Sequence, residues 1–195
     1  MSNRDGSARD LDLATGGGVP RPTFDDVYSA HSAFVWRTLL RLGVPEAHVA
    51  DATQEVFIVV HRRLASFEAR SSVKSWVFGI AQLVAMEWCR RIRRRRTEEL
   101  TGDVVDEDRP DPLDGAIQRQ AVERLYALLA GLSPDKRAVF VLAELEQMTV
   151  PEIAEAVSAN VHTVTSRLKV ARREFEGALH RQRLRDARRS PWSHD

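Results

Sequence analysis

The 195-residue chain holds a single cysteine, Cys89, which excludes an intramolecular disulfide and any cysteine-based metal site. That cysteine reads as a small buried or half-buried residue rather than a reactive thiol. The six histidines include no i,i+4 pair, no glycine-rich phosphate loop follows a strand-like run, and no nucleophile motif is present. These gaps argue against an enzyme, and no cofactor or metal is expected. Long apolar runs are missing too. No segment approaches the roughly 18 apolar residues of a membrane span, and the first residues carry no signal-peptide core. The expected location is therefore cytoplasmic, without membrane insertion.

What remains is a soluble globular balance, with 43% apolar and 29% charged residues, in a length that allows one or two small domains. The net charge of +1 conceals a segregation. Residues 97 to 114 carry eight acids against one arginine, whereas residues 161 to 190 carry nine Lys and Arg against three acids. Six arginines crowd between Arg90 and Arg96, more than a helix macrodipole explains, and such a cluster would hold phosphates well. Basic surfaces for a polyanion, separated by an acidic connector, are the expectation.

Helical periodicity runs through the chain after a Gly-, Ser- and Asp-rich leader over residues 1 to 22, which lacks apolar period. A first helix is expected from Phe24 to Leu42, with a break near His31-Ser32 and an end at Gly43. A second runs from Glu46 to Leu64, a loop follows to Ser72, and a third continues from Val73 to Arg96 with Trp76, Val77, Ile80, Ala81, Val84 and Trp88 inward. Pro110 and Pro112 mark residues 97 to 114 as a linker. A fourth helix over Gly115 to Ala130 should bury Ile117, Ala121, Leu125 and Leu128. Ser133-Pro134 then starts a fifth, which reaches Gln147.

Thr149 to Arg173 reads as a short helix, a turn and a longer helix. Thr149 and Glu152 have capping-box spacing, Pro151 lies in the first turn, and Asn160 is an N-cap for the second helix. Ile153, Ala154 and Val157 face inward from the first helix, and Val161, Val164, Leu168 and Ala171 from the second. That leaves His162, Thr165, Ser166, Lys169, Arg172 and Arg173 outward, the layout of a helix-turn-helix facing a major groove. Alone, the segment fits an ordinary solvated helix pair equally well.

Several motifs in order decide between these. Asp51-Ala52-Thr53-Gln54-Glu55-Val56-Phe57 resembles the D-x-x-Q-E-V-F signature of sigma domain two, and Trp76-Val77-Phe78-Gly79-Ile80-Ala81 is similar to its W-L-x-x-I-A. Leu132 to Arg137, Ile153-Ala154-Glu155 and Thr163 to Leu168 resemble words of sigma domain four. The chain is thus identified as resembling a bacterial sigma factor of the sigma-70 superfamily, extracytoplasmic-function (ECF, group four) type.

The resemblance implies an all-α fold of two small helical domains joined by a flexible acidic linker. Residues 1–22 would be a leader, 23–96 sigma domain two, 97–114 the linker, 115–180 sigma domain four and 181–195 a basic tail. It implies a non-catalytic subunit that binds core RNA polymerase, through the clamp helices of the largest subunit and the flap of the second-largest, and promoter DNA, with an anti-sigma factor as a possible partner. Asp51, Gln54, Glu55 and Phe57 would dock on polymerase. Phe67, Arg70, Ser71, Lys74, Trp76, Arg90, Arg91 and Arg94 would hold the melted minus-10 element, although core packing is the stronger reading of Trp76. Minus-35 recognition would fall to His162, Thr163, Thr165, Ser166 and Lys169, with Arg167, Arg172 and Arg173 on the same helix; Arg167 and Arg172 would hold phosphates. The pattern departs at Gln82-Leu83, where the family often has Asn or Arg, and at His162, where it often has glycine. The alternative is a helix-turn-helix regulator that acts without polymerase, which leaves the helices of Asp51 to Phe57 and of Trp76 to Ala81 unexplained.

Overall fold

Local signals set where each helix begins and ends. In the computed structural model, which describes residues 22–69, 71–99 and 116–189, these helices pack as two halves. In the first half α1 (Phe24–Leu42), α2 (Glu46–Arg63) and α3 (Val73–Glu99) form a three-helix bundle. Thr23 and Asp26 cap α1 reciprocally, with the Asp26 carboxylate accepting from the Thr23 N–H at 3.0 Å. Gly43, at φ 100°, ends the helix in the left-handed conformation that glycine adopts without strain. No break occurs at His31-Ser32: α1 is continuous. A single 3-10 turn (Leu64–Ser66) closes α2.

The second half contains α4 (Ala116–Ala130), α5 (Pro134–Phe140), α6 (Val150–Ala156) and α7 (Val161–Arg189). A π-helical turn, Val141–Leu145, extends α5 toward Gln147. No strand occurs among the described residues, and none of the helices there is long and apolar enough to cross a membrane. The third helix runs past its expected end at Arg96 to Glu99, into the first residues of the expected 97–114 linker. Residues 100–115, Arg70, the leader up to residue 21 and the chain after Arg189 lie outside the described residues. So do the side chains of Arg96 and Ile117.

Two inward assignments, Ala121 and Val161, change. Ala121 is exposed, and Leu129, four-square with Leu132, Phe140 and Ala171, is the buried residue of α4. Val157 is half-buried against the common core, and Ala156, outside the expected stripe, is buried as well, because α6 packs on α3 as well as on α7. Val161 is half exposed, as expected of a residue in the first turn of a helix entering from solvent.

The two halves share one core. Residues of α1, α2 and α3 are continuous with Ala138, Val139, Leu142, Ile153, Ala154, Ala156, Val164 and Leu168. Phe78, outside the inward stripe expected of α3, is fully buried, because α3 is covered on one side by α1 and α2 and on another by α6. At that crossing a Cβ on Gly79 would stand 3.1 Å from the Ala156 carbonyl oxygen, so the close approach depends on the missing side chain.

Candidate nucleic-acid and polymerase interfaces

The helix-turn-helix is built by local chemistry. Glu152 accepts from the Thr149 backbone N–H at 2.8 Å, and these bonds to Thr149 hold its carboxyl below the usual range. The Asn160 carboxamide oxygen accepts from the Thr163 N–H at 2.7 Å and starts α7. Between them Ser158 occupies the left-handed region at φ 49°, a site that glycine fills more readily. Replacing Ser158 with Gly should therefore raise stability by about 0.5–1 kcal/mol, read from the urea midpoint at unchanged slope. A lower midpoint would show that the serine has another role there.

From this base α7 presents His162, Thr165, Ser166, Lys169 and Arg173 as one exposed stripe. The Thr165 hydroxyl donates to the Val161 carbonyl at 2.8 Å, which turns it along the helix. Thr163 is half-buried beside the cap. The remaining two cations are engaged inside the chain: Arg167 pairs with Asp135 at 3.1 Å, and Arg172 holds Glu144 of the π-turn with Nη2 at 2.7 Å and Nε at 2.8 Å. Sequence spacing on α7 cannot reveal these pairs, because both acids come from other elements.

At the first half, the Phe67 and Trp76 rings are in contact, with centroids 4.9 Å apart, and Trp76 is half-buried against the core. Ser71 is half-buried. Lys74 lies 3.1 Å from the Glu146 carboxylate of the second half. Burial, with Lys74 nearby, lowers the His31 imidazole from its usual value. Along α3, Arg90 pairs with Glu87 at 2.9 Å and Arg94 is exposed.

Arg91 is part of a brace. Its guanidinium lies over the Trp88 ring at 4.8 Å and reaches Glu55 at 3.2 Å, while Trp88 Nε1 donates to the same Glu55 at 3.1 Å and stacks on His48. Glu55 therefore ties α2 to α3, beyond presenting an acid to a partner. Asp51 and Gln54 are exposed on the outer face of α2. Phe57 is only 4% exposed, so its ring offers a partner little surface; it packs edge-on to Tyr28 and Phe24 beneath a groove between α1 and α2. That groove, of about 780 Å³, lies beside Gln54 and is lined by the exposed apolar side chains of Tyr28, Trp36 and Ile58. Sequence reasoning passed over Trp36 and Ile58. Their signal was a large apolar residue off the inward period of each helix.

Residues 27–96 match the family Sigma-70 region 2, and residues 122–175 match Sigma-70, region 4. A curated relative, the ECF RNA polymerase sigma factor SigX of Bacillus subtilis, is 33% identical over 84% of this chain and 88% of its own length. The chain belongs to the sigma-70 family, among the ECF RNA polymerase sigma factors. A second ECF sigma factor, SigE of Mycolicibacterium smegmatis, is 29% identical over 85% of this chain and 65% of its own. Two solved structures share the fold of this sigma factor. CnrH in complex with the cytosolic domain of CnrY has a TM-score of 0.62 at 21% identity, covering 80% of this chain and 87% of that one. RpoE in complex with the anti-sigma factor NepR from Bartonella quintana has 0.64 at 18% identity, covering 80% and 96%. As a sigma factor, the chain binds core RNA polymerase and directs promoter-specific initiation, a role outside catalysis.

Proposed function

We propose that the two surfaces divide the work of promoter selection. The exposed α7 stripe reads the minus-35 element: Thr165, Ser166 and Lys169 contact base edges, and Arg173 holds the backbone. The first turns of α3 and its arginine-rich end hold the minus-10 strand, and Asp51 and Gln54, with the adjoining apolar groove, dock on the polymerase clamp helices. The observation that carries this reading is the α7 stripe, which stays exposed while the opposite face of the helix-turn-helix, with Ile153, Ala154, Ala156, Val164, Leu168 and Ala171, is buried. RpoE, of the same fold, is seen with an anti-sigma factor, which supports an anti-sigma partner for this chain as well. The site of action is cytoplasmic.

Run-off transcription with purified chain, core polymerase and a randomised promoter library tests the whole. Enrichment of a two-part promoter is expected. DNA binding that persists with no polymerase association would favour a regulator acting by itself. On an enriched promoter, Lys169→Ala should shift the preferred minus-35 base at a cost of about 1–3 kcal/mol. Arg173→Ala should weaken all sequences alike and reduce the salt slope by about one. If the two variants behave alike, the roles are wrongly divided.

A further inference from the structure

The outer side of α3 changes character along its length. Trp76, Leu83 and Arg90 recur at intervals of seven residues, two helical turns, and so lie on one side of the helix, with Met86 and Arg94 beside them. Trp76 is half-buried and in contact with Phe67. One turn on, Gly79 lies under the Ala156 carbonyl of α6. Beyond that crossing the cover ends. Leu83 is 63% exposed, more than any other large apolar side chain among the described residues, and Met86 is 38% exposed. Neither side chain donates a hydrogen bond, so contact with an apolar group is what each has to gain. Their setting narrows the choice of partner. Arg90 and Arg94 are exposed about 10 and 16 Å farther along the helix, at about 1.5 Å per residue. The one acid between Leu83 and Arg94 is Glu87, which pairs with Arg90 at 2.9 Å and lies 3.8 Å from Arg91. An apolar pair that runs into exposed cations suits a polyanion with an apolar substituent. DNA carries one that hydrocarbon side chains can distinguish, the C5 methyl of thymine.

We propose that Leu83 and Met86 form the contact for the C5 methyl of a thymine in the minus-10 strand, with Arg90 and Arg94 on the phosphates that follow, so that this sigma factor selects thymine over cytosine at that position. This rests on the reading of α3 as the holder of the minus-10 strand and names the base it selects. Cytosine lacks the methyl and brings an N4 amino group, a donor that two hydrocarbon side chains leave without an acceptor. Purines offer no methyl at all. Both side chains are open to solvent beside the α3–α6 contact as it stands, so the selection requires no rearrangement of the helices.

The test uses the full chain with core polymerase, on a promoter enriched by the run-off selection. Each thymine of the minus-10 non-template strand is replaced in turn by deoxyuridine, which differs by the methyl alone. At one position run-off transcription should fall about fourfold, the worth of one buried methyl group. Deoxycytidine there should cost about tenfold, and 5-methyldeoxycytidine should recover about fourfold of that loss. Leu83→Asn should make thymine and deoxyuridine equivalent, whereas Leu83→Met should keep the difference. Both variants should leave the thermal midpoint unchanged, because the side chain is exposed. A minus-10 element enriched without thymine overturns the proposal. Deoxyuridine silent at every position, beside an Arg94→Gln change that weakens initiation across promoters, overturns the methyl contact and leaves the minus-10 reading standing. If Arg90→Gln and Arg94→Gln are silent as well, the minus-10 reading falls and the proposal with it. Loss of core polymerase capture by Leu83→Asn would assign the pair to a protein contact and overturn the proposal in another way.

Discussion

Exchanging Asp51 and Gln54 for lysine should lower promoter-directed transcription by core polymerase at least about 100-fold, at unchanged helical content. Both side chains are exposed on α2, beside a groove with Tyr28, Trp36 and Ile58 on its walls. An apolar anchor rimmed by polar groups is where binding energy concentrates, and loss at such a centre costs about 2 kcal/mol or more per residue. One reversed and one added charge therefore exceed a 100-fold loss, since each factor of ten is about 1.4 kcal/mol. The measurement is a pull-down of core polymerase together with run-off transcription. Unchanged capture would remove α2 as the docking face. Glu55 makes a poorer probe, because Glu55→Ala would also break the bonds to Trp88 and Arg91 and confuse lost docking with a loosened α2–α3 contact.

Phe78→Ala should be the most damaging single truncation in the chain, at about 3–5 kcal/mol. The ring is fully buried in the core common to both halves, so its removal leaves a cavity that neither half can close without shifting the other. At roughly 2–4 °C per kcal/mol for a chain of this size, the thermal midpoint should fall by about 10 °C. A loss under about 1 kcal/mol would mean that the contact around α3 is loosely packed and that the halves unfold independently.

Much of this was legible in the sequence because the signals were local. Gly43, Pro134, Thr149 with Glu152 and Asn160 each mark a helix end within a few residues, so the end of α1, α6 and the starts of α5 and α7 could be read directly, whereas the equally local Thr23–Asp26 cap went unread. The α7 stripe followed from period alone. What spacing could not show is long-range. Phe78 and Ala156 are buried by helices distant in sequence, so a one-sided stripe misplaces both. Arg167, Arg172 and Arg91 looked available for DNA, yet each finds its acid on another element: Asp135, Glu144 and Glu55. Ala121 fitted the period of α4, but Leu129 meets Leu132, Phe140 and Ala171 and takes the core position.

The common core also bears on concentration. The halves are parts of one chain, so their meeting is a unimolecular event. The contact between the halves therefore does not depend on the amount of protein a cell makes. A partner that needs the faces around Glu146 and Gly79 must outcompete that fixed internal ligand, and its own concentration, not that of the sigma factor, sets the balance.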